Sequence, residues 1–534
     1  MDNRVSPPLF PHAPGLDGNV VDYLLEHRTS PDEAQRPYLV TPDGVHSYGD
    51  LQARICQAGN FLRSLGVEPG DRVLFSLCDG LEFPALFLGA IKIGAVALPL
   101  NTFLQPKDYA YYIADSAAKV VVVDTSLVER IDAIRHAPGF PKLLFVSGGD
   151  ASGYGHWQAA LDPQPCELAT VGRAPDDVAF WLYSSGSTGD PKGVPHTHAH
   201  LYWACELFGL GEGGMGLRRD DEILCPPKMF FAYGLGNQVY FPIRAGARVI
   251  VEPGPVRPAP LLQRLIATRP TVMMAVPTLY AGLLDLMRQM PREEVRHACS
   301  RLRMCVSGGE LLPEALYRQW LEVTGTEILD GVGTTELTHM FMFNQPGAAR
   351  PGSCGRIVPG YTARLLDEHG KEVPEGEIGN LFVQGPTAAT QYWNKPEKTA
   401  ATMWDGGVLT GDKSMRDADG YYFHVGRVDD MLRVGGVWVS PGEVEAALAE
   451  HAAVLECAVI GAPDEHDMIK PYAYVVPRQG VEPTPELARD LLAHLRARLA
   501  HIKCPRSVDL VTELPKTATG KIQRFRLRAM RAAS

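Results

Sequence analysis

The densest concentration of chemistry-bearing residues is Tyr183-Ser184-Ser185-Gly186-Ser187-Thr188-Gly189-Asp190-Pro191-Lys192-Gly193. Three glycines let backbone approach a ligand closely, and four hydroxyl residues add donors, a combination that suits phosphate oxygens. The apolar run Val178 to Leu182 precedes it and predicts a strand feeding the loop. It is not the GxxxxGK[ST] loop of NTPases, because a glycine follows Lys192. A flexible surface loop is the competing reading. A second cluster, His196, His198 and His200, would share one face only in an extended segment. With no cysteine or supporting carboxylate nearby, a zinc site is disfavoured.

The loop resembles the phosphate loop of the adenylate-forming superfamily, which spans acyl- and aryl-CoA synthetases, adenylation domains and beetle luciferases. Further motifs follow in that family's order, so the resemblance covers roughly residues 20 to 525. Ser184, Ser185, Gly186, Ser187, Thr188, Gly189 and Lys192 are thereby implied to hold ATP phosphates. The segment Ser307-Gly308-Gly309-Glu310 and the segment Asp330-Gly331-Val332-Gly333-Thr334-Thr335-Glu336 are implied to wall the adenine slot. Thr335 matches a phosphate contact and Glu336 the Mg²⁺ ligand, a sensible use of a hard carboxylate oxygen. Many members carry an aromatic residue where Val332 stands. Asp412, in Leu409-Thr410-Gly411-Asp412, matches the residue that accepts the ribose hydroxyls, and Arg427 a ribose or phosphate contact. A local surface ion pair is the bland alternative for Arg427 and Asp429. By resemblance Asp429 is a hinge. Arg433, Gly435, Gly436 and Trp438 lie in the loop that enters the site for thioester formation. Finally, Pro515 to Ile522 matches the C-terminal lysine motif. Lys521 is implied to offset the charge that builds when a carboxylate attacks a phosphate, an effect of about 3 kcal/mol or a few hundredfold in rate.

The acid pocket is read from residue type. Amino-acid-activating members place an aspartate in the segment corresponding to Phe230 to Gly236; none is present, and an unpaired buried ammonium is costly. Instead Phe231, Ala232, Tyr233, Gly333, His339 and Met340 resemble the benzoate–CoA ligase branch, with His339 alternatively a plain helix-surface residue. The resemblance implies ATP, Mg²⁺ and coenzyme A as reactants, with benzoate, a substituted benzoate or a furoate-like acid open. Loading of a carrier-protein thiol, an inactive binding module and a luciferase-like oxygenase are rival readings. Intact Lys521, Glu336 and Asp412 oppose the second.

Elements must position these loops. Helical patterns at Gly49 to Leu65 and Phe83 to Gly94 alternate with strand-like runs at Arg72 to Leu77, Val96 to Leu98, Lys119 to Val123 and Lys142 to Val146. Further runs recur at Ala247 to Val251, Thr271 to Val276 and Met304 to Val306. This predicts an α/β fold of layered, mostly parallel sheets. Ala363 to Leu366 and Gly379 to Val383 read as antiparallel strands between turns, and the region beyond about 430 as a small α/β unit. The resemblance implies a large N-terminal α/β domain, residues 1–428, with two parallel-rich sheets and a small β-barrel. A mobile C-terminal α+β domain, residues 429–534, follows it. The 534 residues exceed one compact core, and 45% apolar with 21% charged residues is an ordinary globular balance. A net charge of −11 with no basic stripe disfavours nucleic acid. No apolar run reaches membrane-spanning length. The start does not resemble a signal peptide, and ten scattered cysteines suit a reducing compartment, so a cytoplasmic monomer or homodimer is expected.

Overall fold

The computed structural model describes residues 13–16, 18–28, 30–184, 190–427, 430–434, 437–464, 468–516 and 522–532, with only the backbone at Arg433, Val437 and Trp438. Two large sheets dominate. The first has seven strands in the order Gly155–His156, Leu143–Ser147, Val120–Asp124, Arg72–Ser76, Val96–Pro99, Val178–Ser184 and Lys192–Thr197. All its pairs are parallel except the last. The second has nine, with Ile328–Gly333, Met304–Ser307, Val272–Ala275, Glu222–Leu224, Arg248–Ile250 and Pro37–Thr41 forming a parallel centre. Antiparallel strands, among them Met340–Phe343, edge it on both sides.

The central strands are short β-branched or apolar runs buried on both faces, such as Val120–Asp124, as parallel strands covered by helices must be. Tyr48–Ser64 forms a helix because Ser47 and Asp50 make a reciprocal cap at its start, and its apolar residues, Leu51, Ile55, Ala58 and Leu62, recur at helical spacing and are buried. The helix Glu82–Lys92 stops short of the sequence reading, since Gly94 takes φ +79° and turns the chain into the next strand.

The third sheet differs from expectation. Thr362–Leu366, Ile378–Gln384, Gly407–Arg416, Met403–Trp404 and Tyr422–Arg427 pair antiparallel, but among the described residues they form an open five-stranded sheet rather than a closed barrel. The ten-residue strand Gly407–Arg416 carries most of the pairing. Beyond 430 a smaller unit has its own cores, built on Val454–Pro463, Ile469–Pro477 and Val508–Leu510 with helices Pro441–Ala449, Pro485–Arg496 and Arg524–Ala532. Among the described residues no helix is long and apolar enough to cross a membrane. All ten cysteines are free thiols.

Candidate active site

Part of the sequence-predicted set lies where strands of the two large sheets end, while Asp412 and Arg427 stand on the third sheet. Ser184 closes Val178–Ser184, Ser307 closes Met304–Ser307, and Asp330 to Gly333 close Ile328–Gly333. The chain then makes a single tight turn, Thr335–Leu337, before Met340–Phe343 runs back antiparallel. That turn presents Glu336.

Three hydroxyls converge on the Glu336 carboxylate. Ser184 and Tyr392 each donate to Oε1 at 2.9 Å, and Thr334 donates to Oε2 at 2.5 Å. Burial alone would push this carboxyl up; the Thr334 hydroxyl, the Lys192 charge and the hydroxyls of Ser184 and Tyr392 outweigh it and hold the group below the ordinary range. The Lys192 ammonium lies 4.2 Å from the centre of the Tyr392 ring. An ionised carboxylate, already aimed and ringed by hydroxyl oxygens, fits a hard divalent ion such as Mg²⁺, which Glu336 would hold.

Asp330 is buried, and desolvation pushes its carboxyl up to about 8 against the opposing pull of the Ser307 side chain and of the backbone at Leu312 and Gly331. Its Oδ1 has no partner among the described residues. Glycines keep the neighbouring backbone bare. A Cβ on Gly308 would meet Met340 Cε at 2.3 Å, and one on Gly333 would meet the His339 carbonyl oxygen at 2.5 Å. Gly309 takes φ +87°, a conformation side chains resist. Val332 is partly buried and Glu310 partly exposed on the same rim. Asp412 is buried on Gly407–Arg416, directly opposite Arg427 in the antiparallel register, and Arg427 Nη1 donates to its Oδ1 at 3.1 Å and to the Thr410 carbonyl at 3.2 Å.

The acid cradle adjoins. Tyr233 donates to the Val306 carbonyl at 3.1 Å and stacks on His339, with ring centres 5.7 Å apart. His339 is buried, not on a helix surface, and packs against Phe208 and Phe241. Burial pushes it down to about 3, so it is neutral. Its Nδ1 has no partner among the described residues. Met340 fills the space over Gly308 and Gly331, while Phe231 and Ala232 are partly buried at the start of the helix Ala232–Leu235.

Ser185, Gly186, Ser187, Thr188, Gly189, Asp429, Gly435, Gly436 and Lys521 lie outside the described residues, as do the side chains of Arg433 and Trp438. The three histidines do not share a face. His196 stands on the strand Lys192–Thr197 while His198 and His200 open the helix His198–Ala204, which Thr197 caps. Tyr392 and His196 are site neighbours that sequence reasoning missed. Nothing in Gln391-Tyr392-Trp393-Asn394-Lys395 marks the tyrosine, and His196 read only as packing or a metal temptation.

The chain is similar in sequence and fold to known proteins. A family model described as AMP-binding enzyme matches residues 26–393, and one described as AMP-binding enzyme C-terminal domain matches residues 443–521. The benzoate–CoA ligase of Thauera aromatica is 42% identical over 513 residues, covering 96% of each chain. The 3-hydroxybenzoate–CoA ligase of an Aromatoleum species is 38% identical over 96% of this chain and 97% of its own. Among solved structures, an anthranilate CoA ligase in complex with anthranoyl-AMP superposes with a TM-score of 0.92 at 40% identity, over 98% of this chain and 100% of that one. A benzoate CoA ligase from Burkholderia xenovorans gives 0.88 at 39% identity, over 96% and 99%.

Proposed function

The chain belongs to the AMP-binding enzyme family, and from that premise we propose that it activates benzoate or a closely related small aromatic acid through the residues gathered around Glu336. The reaction is ATP-dependent aryl-CoA ligation with release of AMP and pyrophosphate. The observation that carries the site assignment is the Glu336 carboxylate, kept ionised in a buried position by three hydroxyls and Lys192.

In the first half-reaction a carboxylate oxygen of the acid attacks the α-phosphorus of ATP, forming the acyl–phosphate bond and expelling pyrophosphate. Ser184, Lys192 and the loop between them embrace the phosphates. Thr335 touches them from the facing turn, and Glu336 would hold the divalent ion. That ion, when bound, neutralises phosphate charge. Asp412 takes the ribose hydroxyls, and Arg427, already bonded to it, reaches ribose or phosphate. Gly308, Gly309, Glu310, Asp330, Val332 and Thr334 flank the adenine, where the bare Asp330 Oδ1 supplies a polar partner for its amino group. The ring of the acid lies among Phe231, Ala232, Tyr233, Gly333, His339 and Met340; a neutral His339 adds no repelling or attracting charge beside the acid's carboxylate. The Lys521 ammonium offsets the meeting of two anions.

For the second half-reaction we assign residues 1–428 to a nucleotide-binding body and 429–534 to a domain that turns about Asp429. Arg433, Gly435, Gly436 and Trp438 would then line the approach of the CoA thiol, whose sulfur attacks the acyl carbonyl as AMP leaves. The ten free thiols support our assignment of the enzyme to a reducing compartment, the cytoplasm.

The test is an AMP-release screen over small aryl and alkyl acids with MgATP and either free CoA or a holo carrier protein. Benzoate-sized aromatic acids with free CoA should give the highest kcat/KM. Preference for an aliphatic acid would overturn the acid assignment, and thioester formed only on the carrier protein would overturn the acceptor.

A further inference from the structure

We infer that His196 is a positioning residue whose imidazole fastens both ends of the Glu336 turn to the strand leaving the phosphate loop, and so sets how tightly the site takes a divalent cation with ATP. This rests on the assignment of Glu336 as the cation-holding carboxylate.

The turn is an awkward piece of backbone. Thr335–Leu337 makes one tight loop and Thr338 follows at φ +68°, ψ −48°, a left-handed conformation that a β-branched residue resists. Such a conformation persists only where neighbours hold it. Beside the turn's own bonds, from the Thr338 N–H to the Thr335 carbonyl at 3.1 Å and from the His339 N–H to the Leu337 carbonyl at 2.7 Å, two other segments of the chain hold its carbonyls. The Ala389 N–H donates to the Glu336 carbonyl at 2.8 Å, and the Thr387 hydroxyl to the Leu337 carbonyl at 2.8 Å. His196 Nε2 lies 2.8 Å from the Thr335 carbonyl. A carbonyl only accepts, so Nε2 carries the hydrogen. On the other side of the same ring Nδ1 sits 3.2 Å from Thr338 Oγ1 and 3.1 Å from His200 Nδ1.

One rigid ring thus spans the residues on either side of Glu336 and Leu337. The ring is itself fixed. It is fully buried, stacks on Phe180 with centres 4.9 Å apart, and stands on Lys192–Thr197, the strand whose first residue pairs with Ser184. The phosphate-loop strands and the Glu336 turn belong to different sheets, so a side chain that bridges them sets their separation. Misplacing a reacting group by about 1 Å can cost roughly a hundredfold in rate.

The experiment uses the full-length enzyme and the variants His196→Gln, His196→Asn, His196→Phe, Thr338→Gly and Glu336→Gln. Glutamine can put an N–H where Nε2 stands and keep the Thr335 bond. Asparagine puts its amide near the Nδ1 position and takes the side-chain donor from the Thr335 carbonyl, which keeps only the Thr338 N–H at 3.1 Å. The readouts are ATP affinity by calorimetry in Mg²⁺ and in EDTA, the KM for the acid, and thermal unfolding. His196→Asn and His196→Phe should each lose about tenfold in the ratio of ATP affinity with Mg²⁺ to affinity in EDTA. His196→Gln should stay within about threefold of wild type, and Thr338→Gly between the two. ATP affinity in EDTA and the KM for the acid should move little. Glutamine and asparagine behaving alike, or all parameters falling together with the unfolding temperature, would overturn the role of His196. If Glu336→Gln itself leaves the Mg²⁺ ratio unchanged, the assignment of Glu336 fails instead. Should His196→Phe not fold, the Gln/Asn pair and Thr338→Gly still decide.

Discussion

Glu336 Oε1 accepts from two donors at the same distance, Ser184 and Tyr392 at 2.9 Å, and this symmetry predicts a specific non-additivity. Tyr392→Phe deletes one oxygen and leaves the ring on which Lys192 rests. Ser184→Ala deletes the other donor. Hydrogen bonds to a charged acceptor contribute about 1.5–3 kcal/mol, and this carboxylate is too buried for water to replace a lost partner freely. Each single change still leaves Oε1 one donor. At the low end of that range each should slow acid-dependent ATP–pyrophosphate exchange about tenfold. The double variant leaves Oε1 with none, and an uncompensated buried charge costs more than two lost bonds. Groups in one network couple by about 0.5–3 kcal/mol, so roughly 1 kcal/mol of coupling makes the double variant about 500-fold slower rather than the hundredfold of independent sites. The assay is exchange measured at saturating MgATP and acid, with the KM of each recorded and thermal unfolding as a control for folding. The KM for the acid should hold, because none of the hydroxyl donors belongs to the Tyr233–Met340 cradle. A double variant whose loss equals the product of the single losses to within about 0.5 kcal/mol would refute shared solvation of Oε1.

Asp330 sets a pH dependence of stability. Its folded value near 8 lies above that of an exposed aspartate, so the folded state holds a proton the unfolded state has lost. The stability this group contributes is full below about pH 4 and is lost as pH rises through 8, by up to about 1.4 kcal/mol per pH unit. Asp330→Asn should flatten that slope in urea unfolding at pH 6, 7 and 8; an unchanged slope would exclude Asp330 as its source. Met340→Ala should widen acid selectivity toward bulkier ring substituents by about 1–3 kcal/mol in relative kcat/KM, since Met340 Sδ and Cε fill the space over Gly331 and Gly308. Unaltered relative rates across para-substituted benzoates would place that side chain outside the pocket. Gly333→Ala brings a Cβ to 2.5 Å from backbone oxygen, which cannot yield as a flexible side chain would, so exchange should fall at least a hundredfold in a variant that still folds. Asp412→Asn should raise the KM for ATP about tenfold while sparing that for the acid, checked by initial rates with each substrate varied; equal effects on both would argue against a ribose contact.

What could be read in the sequence and what could not divide along a physical line. Parallel strands buried on both faces must be short apolar runs, so Val120–Asp124, Met304–Ser307 and Val178–Ser184 announce themselves to within a residue or two. In open α/β sheets ligands bind beyond the carboxyl ends of such strands. The polar, glycine-rich stretches that follow them, at 184–193, 307–310 and 330–336, are therefore where a site has to be. Side-chain pairing between strands distant in sequence leaves no such trace. Tyr392 reaches Glu336 across 56 residues, and nothing local requires it. Whether the antiparallel strands near 362–427 close into a barrel depends on which edges meet, not on their individual patterns.

The histidine triplet shows how one local event defeats a spacing argument. Alternation over His196, His198 and His200 holds only while the chain stays extended. Thr197 ends that: its hydroxyl accepts the His200 N–H at 3.3 Å and caps a helix beginning at His198. The three rings then take different partners. His198 Nδ1 accepts the Val20 N–H at 3.2 Å and ties down the N-terminal helix, His200 backs His196, and His196 alone faces the Glu336 turn. A cap residue placed one position later would have kept the strand going past His198 and taken His200 away from His196. The support of the cation-holding turn thus depends on where a helix starts, a property set by Thr197 although no atom of its side chain touches Glu336.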